Sequence, residues 1–599
     1  MNNKFYQKII YIISILAFLL FSYALMTNRV LPVKYRLYIF VGLLLVYLIF
    51  AFIIMKQSVS KLLKAITTVL LVLFAAVFLL GFRYIDKGVR TFNNISLGKK
   101  KMAYEFSLVV KKDSKLNSLD DIKDQEVIVA YDNDHKNINL FKNELEKKED
   151  KELRYNSGDN YLSIAENLLK GKNEIILLNE SYRSTILEKF DDFSKKTKVI
   201  YSMGLEKEDV NSLKAKEVNL NEPFNLYISG TDSYGEIDMV GRSDVNLLLS
   251  IDPKNRRILM TTIPRDSYLR IAGGGYDEYD KFTHSGIYGI DSSIQTLEQT
   301  FDTTINYYIK VNFSSLINMV DAMDHVDVVN LQGFKPVFSD EYFPRGILRV
   351  NGKQALHFAR ERKSLNEGDY ERGRNHMRLL EAMIKRATSP SIILNYDKLL
   401  DVSVDSMDTN IPYNTIMDII NNQIEDDRDW TIIKEDLKGE GVLGLPSYAM
   451  PGYELWMFEP YEESIESISQ NIKYLQDGKD PRQVKKELEE KERAESISDI
   501  NDENDLQDDN INNQNDSMDI QNDNQNGNID NQNDNIGTQD NQYDNLNNQS
   551  PNTGSNNPVR EKTEKEIIKE LKLVYPVPYN YQDINQDMDY EEEQWSESE

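Results

Sequence analysis

The chain has 599 residues, no cysteine and a formal net charge of −27. This length predicts two to four structural units, and the lack of cysteine excludes a disulfide framework and a thiolate metal site. The negative charge would repel a phosphate backbone, which argues against nucleic acid as a partner. That argument is weak, because much of the charge lies near the C-terminus.

Three apolar runs open the chain, at 9–26, 38–55 and 65–82, each close to the roughly 20 residues that a membrane-spanning helix needs. They predict a membrane region over 1–90 with three spans. A cleaved signal peptide is disfavoured, because no small-x-small cleavage site follows the first run. Lysines and arginines next to the spans are slightly more numerous on the membrane side that holds the N-terminus, which favours a cytoplasmic N-terminus. We therefore expect a multi-pass protein of a bacterial cell membrane, with everything after Arg83 outside the cell.

The segment 100–220 alternates short apolar runs with an amphipathic one. Strands are predicted at 106–110, 126–131 and 174–178, and a helix at 161–169. This rhythm indicates a small α/β accessory domain. No catalytic constellation occurs in it, so an interaction or spacer role is expected.

The C-terminal third is predicted in three parts. Residues 431–493 extend the folded region, whereas 494–559 contain no Lys or Arg and one aromatic residue. Such a segment cannot bury enough apolar surface to offset the entropy of ordering, so it is predicted to be a disordered acidic linker. In the last part, 560–599, the basic and apolar patch 560–574 is predicted to form a short helix before an acidic tail. A solvated extension is favoured over a tether or partner-binding arm.

The region 221–430 contains a candidate site at the ends of predicted strands. A strand is expected at 224–229, and strands at 243–251 and 258–263 form a hairpin around 252–255. A turn centred between 253 and 254 would place Arg242 opposite Arg265. Like charges opposite each other destabilise a sheet, so an anion or the carboxylates Asp244 and Asp266 should intervene. A salt-bridged strand end is the alternative.

Further arginines follow in the same region. Arg360 and Arg362 flank Glu361, and Arg372 and Arg374 open a predicted amphipathic helix. Guanidinium groups hold phosphate oxygens in bidentate fashion, so a diphosphate is the expected ligand. Two aspartates, Asp232 and Asp244, are hard oxygen ligands for Mg²⁺ (or Mn²⁺), which could also contact substrate phosphates. Each aspartate alone would more often be a turn or capping residue.

These residues lie in motifs that resemble the LytR-CpsA-Psr family. The motifs are GTDSYGEIDMVGRSDVNLLLSIDPKNRRILMTTIPRDSYLRI, DKFTHSGIYGIDSSIQTLEQTF, INYYIKVNFSSLINMVDAM, NGKQALHFARER and GDYERGRN. They occur in order over about 200 residues. The N-terminal layout resembles the capsule-type, CpsA-like members. The resemblance implies a mixed α/β domain whose sheet and flanking helices enclose a polyprenyl chain, with its pyrophosphate at the mouth of the pocket.

The resemblance also implies an activity and the residues that carry it. Members transfer polyprenyl-pyrophosphate-linked glycans, such as capsule or teichoic acid, to peptidoglycan. A wall-sugar hydroxyl would attack the phosphate-bearing centre of the lipid-linked glycan, and the developing charge would be stabilised by arginines and Mg²⁺. Cleavage of the sugar–phosphate bond would be glycosyl transfer and cleavage of the phosphate–phosphate bond phosphoglycosyl transfer; the resemblance implies the second. Asp232 and Asp266 are the candidate general bases, and Asp232 and Asp244 the metal ligands. The pyrophosphate contacts implied are Arg242, Arg265, Arg360 and Arg362, with Lys281 and Arg374 as further candidates.

Two positions depart from the family pattern. His376 stands where the family commonly has Gln; it could still donate to a phosphate but would add a pH-dependent charge. Asp324 and His325 stand where a Gly-Gly turn is usual, so this turn must differ or accept a positive φ. We expect the second departure to have only a local effect.

Three other functions remain open at this point. A transcriptional regulator would need a cytoplasmic domain with a basic face, which neither charge nor predicted topology favours. A non-catalytic module could bind the lipid-linked glycan and control polymer assembly. A pyrophosphatase that releases the glycan to water could be a side activity of the same site.

Overall fold

The computed structural model describes residues 3–29, 31–56, 58–96, 101–208, 215–231, 240–337, 339–389, 398–399, 402, 406–426, 428–491, 493, 573–574 and 577–578. The chain divides into a compact unit of 1–480 with 571–599 and a second unit of 481–570. In the second unit, the described residues 481–491 are helical. Asp232, the predicted linker 494–559 and residues 560–572 of the predicted helix lie outside the described residues. The predicted boundaries near 90, 220 and 430 remain predictions, because all three fall inside the first compact unit.

Three apolar helices form the N-terminal region: α1 (Asn3–Thr27), α2 (Val33–Met55) and α3 (Lys61–Ser96). All three are long and apolar enough to cross a membrane, which confirms the predicted number of candidate spans. The Ser14 hydroxyl donates to the Leu71 carbonyl at 3.0 Å and contacts the Tyr47 hydroxyl at 2.5 Å. Because an apolar surrounding offers no water, these polar groups satisfy one another and link the three helices.

The accessory region has an α/β fold built on a five-stranded sheet with the order β3-β2-β4-β1-β5. Strand β1 is antiparallel to β4 and β5, and β2 is parallel to β3 and β4. Apolar side chains alternate between its two faces, and each face has its own buried cluster. The predicted helix and strands are confirmed. Their bounds are β1 (Lys101–Lys111), β2 (Glu126–Val129), α4 (Tyr131–Glu149), β3 (Arg154–Ser157), α5 (Tyr161–Leu169), β4 (Ile175–Asn179), α6 (Arg183–Lys189), α7 (Phe193–Lys196) and β5 (Thr197–Glu208).

The main domain is built on a six-stranded mixed sheet with the order β15-β11-β6-β7-β8-β16. Strands β6, β7 and β8 are antiparallel, whereas β11 and β16 join the two sides in parallel. Helices α8 and α13 cover one face, and α11 packs against the other. The bounds are β6 (Phe224–Gly230), β7 (Val245–Asp252), β8 (Arg257–Thr262), α8 (Ile290–Phe301), β11 (Tyr307–Val311), α11 (Asp369–Ala387), β15 (Asp408–Thr409), α12 (Tyr413–Glu425), β16 (Thr431–Asp436) and α13 (Glu462–Gln476).

Smaller sheets complete the domain. Strand β14 pairs with β12 and β19, and the pairs β9–β10, β13–β20 and β17–β18 form separate ladders. Helices α9 and α10 each begin with an asparagine capping box, at Asn312 and Asn351. The bounds are β9 (Tyr268–Arg270), β10 (Tyr279–Lys281), α9 (Phe313–Ala322), β12 (Val326–Asn330), β13 (Glu341–Tyr342), β14 (Gly346–Val350), α10 (Gly352–Arg360), β17 (Gly439–Leu443), β18 (Trp456–Pro460), β19 (Leu573–Val574) and β20 (Val577–Pro578). The mixed α/β fold predicted for this domain is confirmed.

Three local predictions are settled by these elements. The β7–β8 hairpin exists, but its predicted register is wrong, because Asp252 pairs with Arg257 across a four-residue turn. Position 242 lies before the start of β7 and position 265 lies after the end of β8, so the two arginines are not paired in the ladder. Asp324 adopts φ 74, so the turn without Gly-Gly accepts a positive φ. Residues Leu573–Val574, the end of the patch predicted to be helical, form a strand that pairs with β14.

Candidate functional site

Three segments of the main domain meet at one edge of its sheet. Strand β6 ends at Gly230, β7 begins just after Asp244, and Arg265 follows the end of β8. Backbone hydrogen bonds fix these segments together: the Asp244 amide donates to the Gly230 carbonyl at 2.8 Å, and the Ser243 amide donates to the Thr283 carbonyl at 3.0 Å. The Thr283 amide donates to the Arg265 carbonyl at 2.8 Å. The arginines and aspartates of this edge are therefore held by a rigid backbone.

Asp244 lies at the centre of the site. Its side chain is buried, and its Oδ1 accepts hydrogen bonds from Arg265 Nη1 at 2.7 Å and from the Thr283 hydroxyl at 3.2 Å. Arg242 Nη2 lies 3.9 Å from the same oxygen. Arg242 and Arg265 thus converge on one carboxylate, although they are not paired across the strands. Of the two predicted arrangements, a bound anion or an intervening carboxylate, the structure has the carboxylate.

A second carboxylate, which the sequence did not indicate, comes from the accessory region. Glu188 on α6 contacts Arg242 Nη1 through Oε1, and the same oxygen lies 3.3 Å from Arg265 Nη2. A single anionic oxygen is therefore held by both guanidiniums. Burial opposes the charge of Arg265, but Asp244, Asp266 and Glu188 outweigh this effect and raise its pKa. Nothing in the sequence around Glu188 distinguishes it from a solvated surface residue.

Asp266 and Lys281 form a buried ion pair beside Arg265. Lys281 Nζ lies 2.9 Å from Asp266 Oδ1, and Arg265 Nε lies 3.6 Å from Oδ2. Burial alone would raise the pKa of Asp266, but Arg265 and Lys281 together lower it below its ordinary value. A carboxylate with a lowered pKa is a weak base, so this arrangement disfavours Asp266 as the general base.

Arg372, on the first turns of α11, joins the same group of charges. Burial lowers its pKa, and the positive charges of Arg265 and Arg362 lower it further, while Asp369 and Asp244 act in the opposite direction. Asp369 also forms an ion pair with Arg372. The site consequently gathers guanidiniums from the segments around 242, 265, 362 and 372, whose mutual repulsion favours an anionic ligand.

Arg374 belongs to a separate network of carboxylates. Its Nε donates to Asp436 at 3.0 Å, and its Nη1 donates to Glu367 at 2.7 Å and to Glu371 at 3.2 Å. Three acidic partners already satisfy this guanidinium. Arg374 therefore lies in a carboxylate network apart from the site, whereas Arg372 is near Arg265 and Asp244.

Arg360 and Arg362 lie at the end of α10. The Arg360 guanidinium stacks over the Phe313 ring at 4.5 Å, and Arg362 is exposed. Glu361 between them is buried and accepts backbone N–H groups, from Val337 at 2.7 Å and from Arg362 at 3.0 Å. This carboxylate fixes the loop, and the positive charge of Arg362 is near enough to Arg372 to lower the pKa of that arginine.

His376 does not carry the pH-dependent charge that was expected. Its Nε2 lies 2.8 Å from the Ala359 carbonyl, which can only accept, so Nε2 carries the proton. Burial and the nearby Arg372 lower its pKa to about 3, so the ring is neutral at physiological pH. A neutral imidazole with its single N–H engaged has no donor for phosphate. The structure therefore argues against the predicted pyrophosphate contact of His376.

The carboxylates of the site can be compared with the predicted Mg²⁺ ligands, Asp232 and Asp244. Within the described residues, no group of three or more His, Cys, Asp or Glu side chains could hold an ion. Asp244 is nonetheless a buried hard oxygen donor, and Mg²⁺ is commonly held by one or two carboxylates together with substrate phosphates. The donor set thus suits Mg²⁺ as a partner of a bound diphosphate, with Asp232 as the second predicted ligand.

Known proteins resemble this chain mainly over the main domain. The LytR_cpsA_psr family model matches residues 187–473. The polyisoprenyl-teichoic acid–peptidoglycan teichoic acid transferase TagU of Bacillus cereus (strain AH820) is 33% identical over 219 residues, which are 36% of this chain and 70% of the relative. TagU of Oceanobacillus iheyensis is 31% identical over 252 residues, 40% of this chain and 76% of the relative.

Two weaker similarities carry no functional argument. A model described as DNA polymerase processivity factor matches residues 39–178, a minor part of the chain that covers α3 and most of α2. The crystal structure of TagV from B. subtilis is 26% identical and covers 43% of this chain and 98% of that one, with a TM-score of 0.37.

Proposed function

Because the chain belongs to the LytR-CpsA-Psr family, we propose that it is a membrane-anchored transferase that moves a polyprenyl-pyrophosphate-linked glycan onto peptidoglycan. The observation that carries the proposal is the convergence of Arg242 and Arg265 on one carboxylate oxygen of Glu188. Two guanidiniums that share one anionic oxygen form a cradle suited to a phosphate oxygen. The names of the TagU relatives supply the donor and acceptor classes.

The class of polymer is the finer part of the proposal. Relatives named as teichoic acid transferases favour an anionic wall polymer. The three apolar helices and the accessory region are the features that resembled capsule-type members. We take a teichoic-acid-like polymer as the first substrate to test and a capsule polysaccharide as the second.

The transfer would be a substitution at phosphorus. The acceptor hydroxyl oxygen bonds to the phosphorus nearer the glycan, the bond from that phosphorus to the bridging oxygen breaks, and polyprenyl phosphate leaves. Arg242, Arg265 and Arg372 would stabilise the charge that develops on the phosphate oxygens. Asp244 and Asp232 would hold Mg²⁺, which would neutralise charge on the diphosphate. Asp232 would take the proton of the attacking hydroxyl, because the lowered pKa of Asp266 makes it the poorer of the two candidate bases.

The structure also supports an outward-facing main domain. The loop between α1 and α2 contacts α12: Arg29 Nη1 lies 2.8 Å from Asp418 Oδ2, and the Asn421 side-chain amide donates to the Arg29 carbonyl at 2.8 Å. A loop that contacts the main domain lies on the same side of the membrane. With three spans, that side is opposite the N-terminus, which the lysine distribution favours as cytoplasmic.

The test is transfer by the full-length protein in lipid nanodiscs, supplied with Mg²⁺, a lipid-pyrophosphate glycan and wall fragments. We expect wall-bound glycan from the native protein and a loss of about 100-fold in Arg265→Ala and Asp244→Ala. Arg349→Ala, which removes an exposed ion pair between Arg349 on β14 and Asp327 on β12, is the matched control and should retain activity.

The remaining alternatives give different products in this assay. A binding module would leave all glycan on the lipid, and a pyrophosphatase would release it to water whether or not wall fragments are present. Either result with native protein would overturn the transferase. Nucleic acid is not an expected partner, because the chain carries a net charge of −27.

A further inference from the structure

A cleft of about 660 Å³ lies between the accessory region and the main domain. This volume is within the range of roughly 300–1,000 Å³ that is usual for ligand sites. Five tyrosines contribute to its lining: Tyr131 from the accessory region and Tyr268, Tyr276, Tyr279 and Tyr448 from the main domain. The cleft is separate from the arginine site, and nothing in the transfer chemistry described above uses it.

Two of the tyrosines present their rings to solvent, whereas Tyr131 also packs against the core of the accessory region. Tyr276 is 73% exposed and Tyr279 is 51% exposed. Tyr276 meets Tyr448 edge to face, with ring centroids 5.6 Å apart, and Tyr268 meets Tyr279 at 5.2 Å. Each exposed ring offers a flat apolar face, which suits the C–H face of a pyranose ring.

Tyr276 is held in a backbone conformation that is unfavourable for its residue type. It has φ 56, in the left-handed region that bulky side chains rarely adopt. The preceding Gly275 packs close to Tyr448, because a Cβ there would lie 3.2 Å from the Tyr448 ring. Strain that brings an exposed ring to the rim of a cleft is typical of ligand-binding positions.

The polar lining selects against anionic polymers. Asp132, Asp159 and Glu278 contribute carboxylates, Asn160 contributes an amide and His135 an imidazole, and the lining residues in the described part of the chain include no lysine or arginine. A phosphodiester-rich polymer would be repelled, whereas hydroxyl and acetamido groups of neutral sugars could donate to the carboxylates.

The cleft is adjacent to the arginine site. Tyr279 lies on β10 two residues before Lys281, and Lys281 is paired in register with Tyr268 on β9. Since Lys281 forms the ion pair with Asp266, the β9–β10 ladder carries residues of both the cleft and the arginine site. A sugar chain seated in the cleft would therefore lie beside the phosphate cradle.

We propose that this cleft binds a neutral pyranose glycan, the sugar backbone of the wall strand that accepts the transferred polymer. The saccharide site follows from the cleft itself, and its assignment to the acceptor rests on the proposed transferase. The carboxylate lining favours the acceptor over the donor polymer, because the donor of a teichoic-acid-like reaction is a polyanion.

The test measures binding to the full-length protein in nanodiscs by calorimetry. The probes are neutral β-1,4-linked oligosaccharides of N-acetylglucosamine, which lack the free carboxylate that every peptide-free N-acetylmuramic acid carries, and separately a glycerol phosphate polymer. Tyr276→Gly removes the ring and relieves the positive φ, so we expect an unchanged or raised Tm with at least a tenfold loss of oligosaccharide affinity. Tyr276→Phe, which keeps the ring, should bind like the native protein.

Tyr461→Gly, at an exposed tyrosine that does not line the cleft, is the control and should retain affinity. Native protein that fails to bind the oligosaccharide, or binding that Tyr276→Gly leaves intact, would overturn the saccharide site. Binding of the glycerol phosphate polymer that is lost in Tyr276→Gly would overturn the acceptor assignment. Cleft-dependent oligosaccharide binding in a protein without transfer activity would refute the proposed transferase but not the cleft.

Discussion

Arg242 is buried and the Arg265 side chain is only 15% exposed, and a charge removed from water is costly unless another charge compensates it. Asp244 supplies one compensating charge from the same domain, and Glu188 supplies the second from the accessory region. Glu188 therefore occupies the coordination that a phosphate oxygen would require. In the proposed function, a phosphate at this position would replace the Glu188 carboxylate, so Glu188 would compete with the substrate for the two arginines.

This exchange predicts the effect of Glu188→Gln. The neutral amide cannot balance the arginines, so the Tm without ligand should fall, while affinity for a short-chain prenyl pyrophosphate should rise about tenfold, equivalent to roughly 1.4 kcal/mol. The Tm gain on adding this ligand should exceed that of the native protein. The matched control is Glu180→Gln, which removes the Arg183 ion pair elsewhere in the accessory region. Weaker binding by Glu188→Gln would mean that Glu188 orients the arginines instead of competing with the ligand.

His376 predicts a pH dependence of stability. Its pKa of about 3 in the folded protein lies below its ordinary value of 6.5 because of burial and Arg372. The unfolded chain therefore takes up a proton that the folded chain does not, and stability is lost as the pH falls from about 6.5 towards 3. His376→Gln can still donate to the Ala359 carbonyl and should reduce the fall in Tm between pH 7 and pH 4. His135→Gln, at an exposed position, is the control, and parallel curves for His376→Gln and the native protein would contradict the prediction.

At the scale of elements, the position of Arg242 depends on a close backbone contact. Gly286 lies in the 3-10 segment Phe282–Tyr288, and a Cβ there would lie 2.4 Å from the Gly241 carbonyl and 2.7 Å from the Ser243 amide. Both are backbone atoms on either side of Arg242, so they cannot move without displacing it. Gly286 is thus required by packing and not by a positive φ.

We therefore expect Gly286→Ala to lower stability by about 1–3 kcal/mol and transfer activity by about tenfold or more through displacement of Arg242. Gly241→Ala is a close control, because a Cβ at Gly241 meets nothing within 4 Å. Denaturant unfolding and the transfer assay would measure both effects. Equal behaviour of the two variants would show that the 241–243 segment adjusts to the added methyl group.

The elements themselves were largely predictable, because apolar alternation and turn residues act over short stretches. The register of the β7–β8 hairpin was not, since it depends on a turn that contains Arg256 at φ 53. The choice between Arg372 and Arg374 was also beyond the sequence. Two residues turn a helix by about 200°, so these arginines face opposite sides, and only packing of α11 decides which side meets the site. Glu188 could not be predicted, because it is 54 residues from Arg242 and on another sheet's helix.

At the scale of the whole molecule, the fold joins three apolar helices to a main domain through contacts on one side. Helix α3 is 36 residues long and extends beyond its candidate span Lys61–Arg90. Lys34 and Glu425 add an ion pair of 3.7 Å between the start of α2 and α12. Exposed ion pairs of this kind contribute little stability. They indicate instead that the loop between α1 and α2 lies on the same side of the membrane as the main domain.

The native chain has no cysteine, so single substitutions report this arrangement directly. Thr27→Cys, beside the loop that contacts α12, and Leu443→Cys, on an exposed strand of the main domain, should react with a membrane-impermeant maleimide in intact cells. Ser58→Cys, between α2 and α3, should react only after the cells are permeabilised, because one span separates it from the outer side. The opposite pattern would put the arginine site in the cytoplasm, where peptidoglycan is absent, and would rule out the transferase. Labelling of Thr27→Cys and Leu443→Cys from different sides would instead contradict the contact between Arg29 and Asp418, since both positions must lie on one side for that ion pair to form.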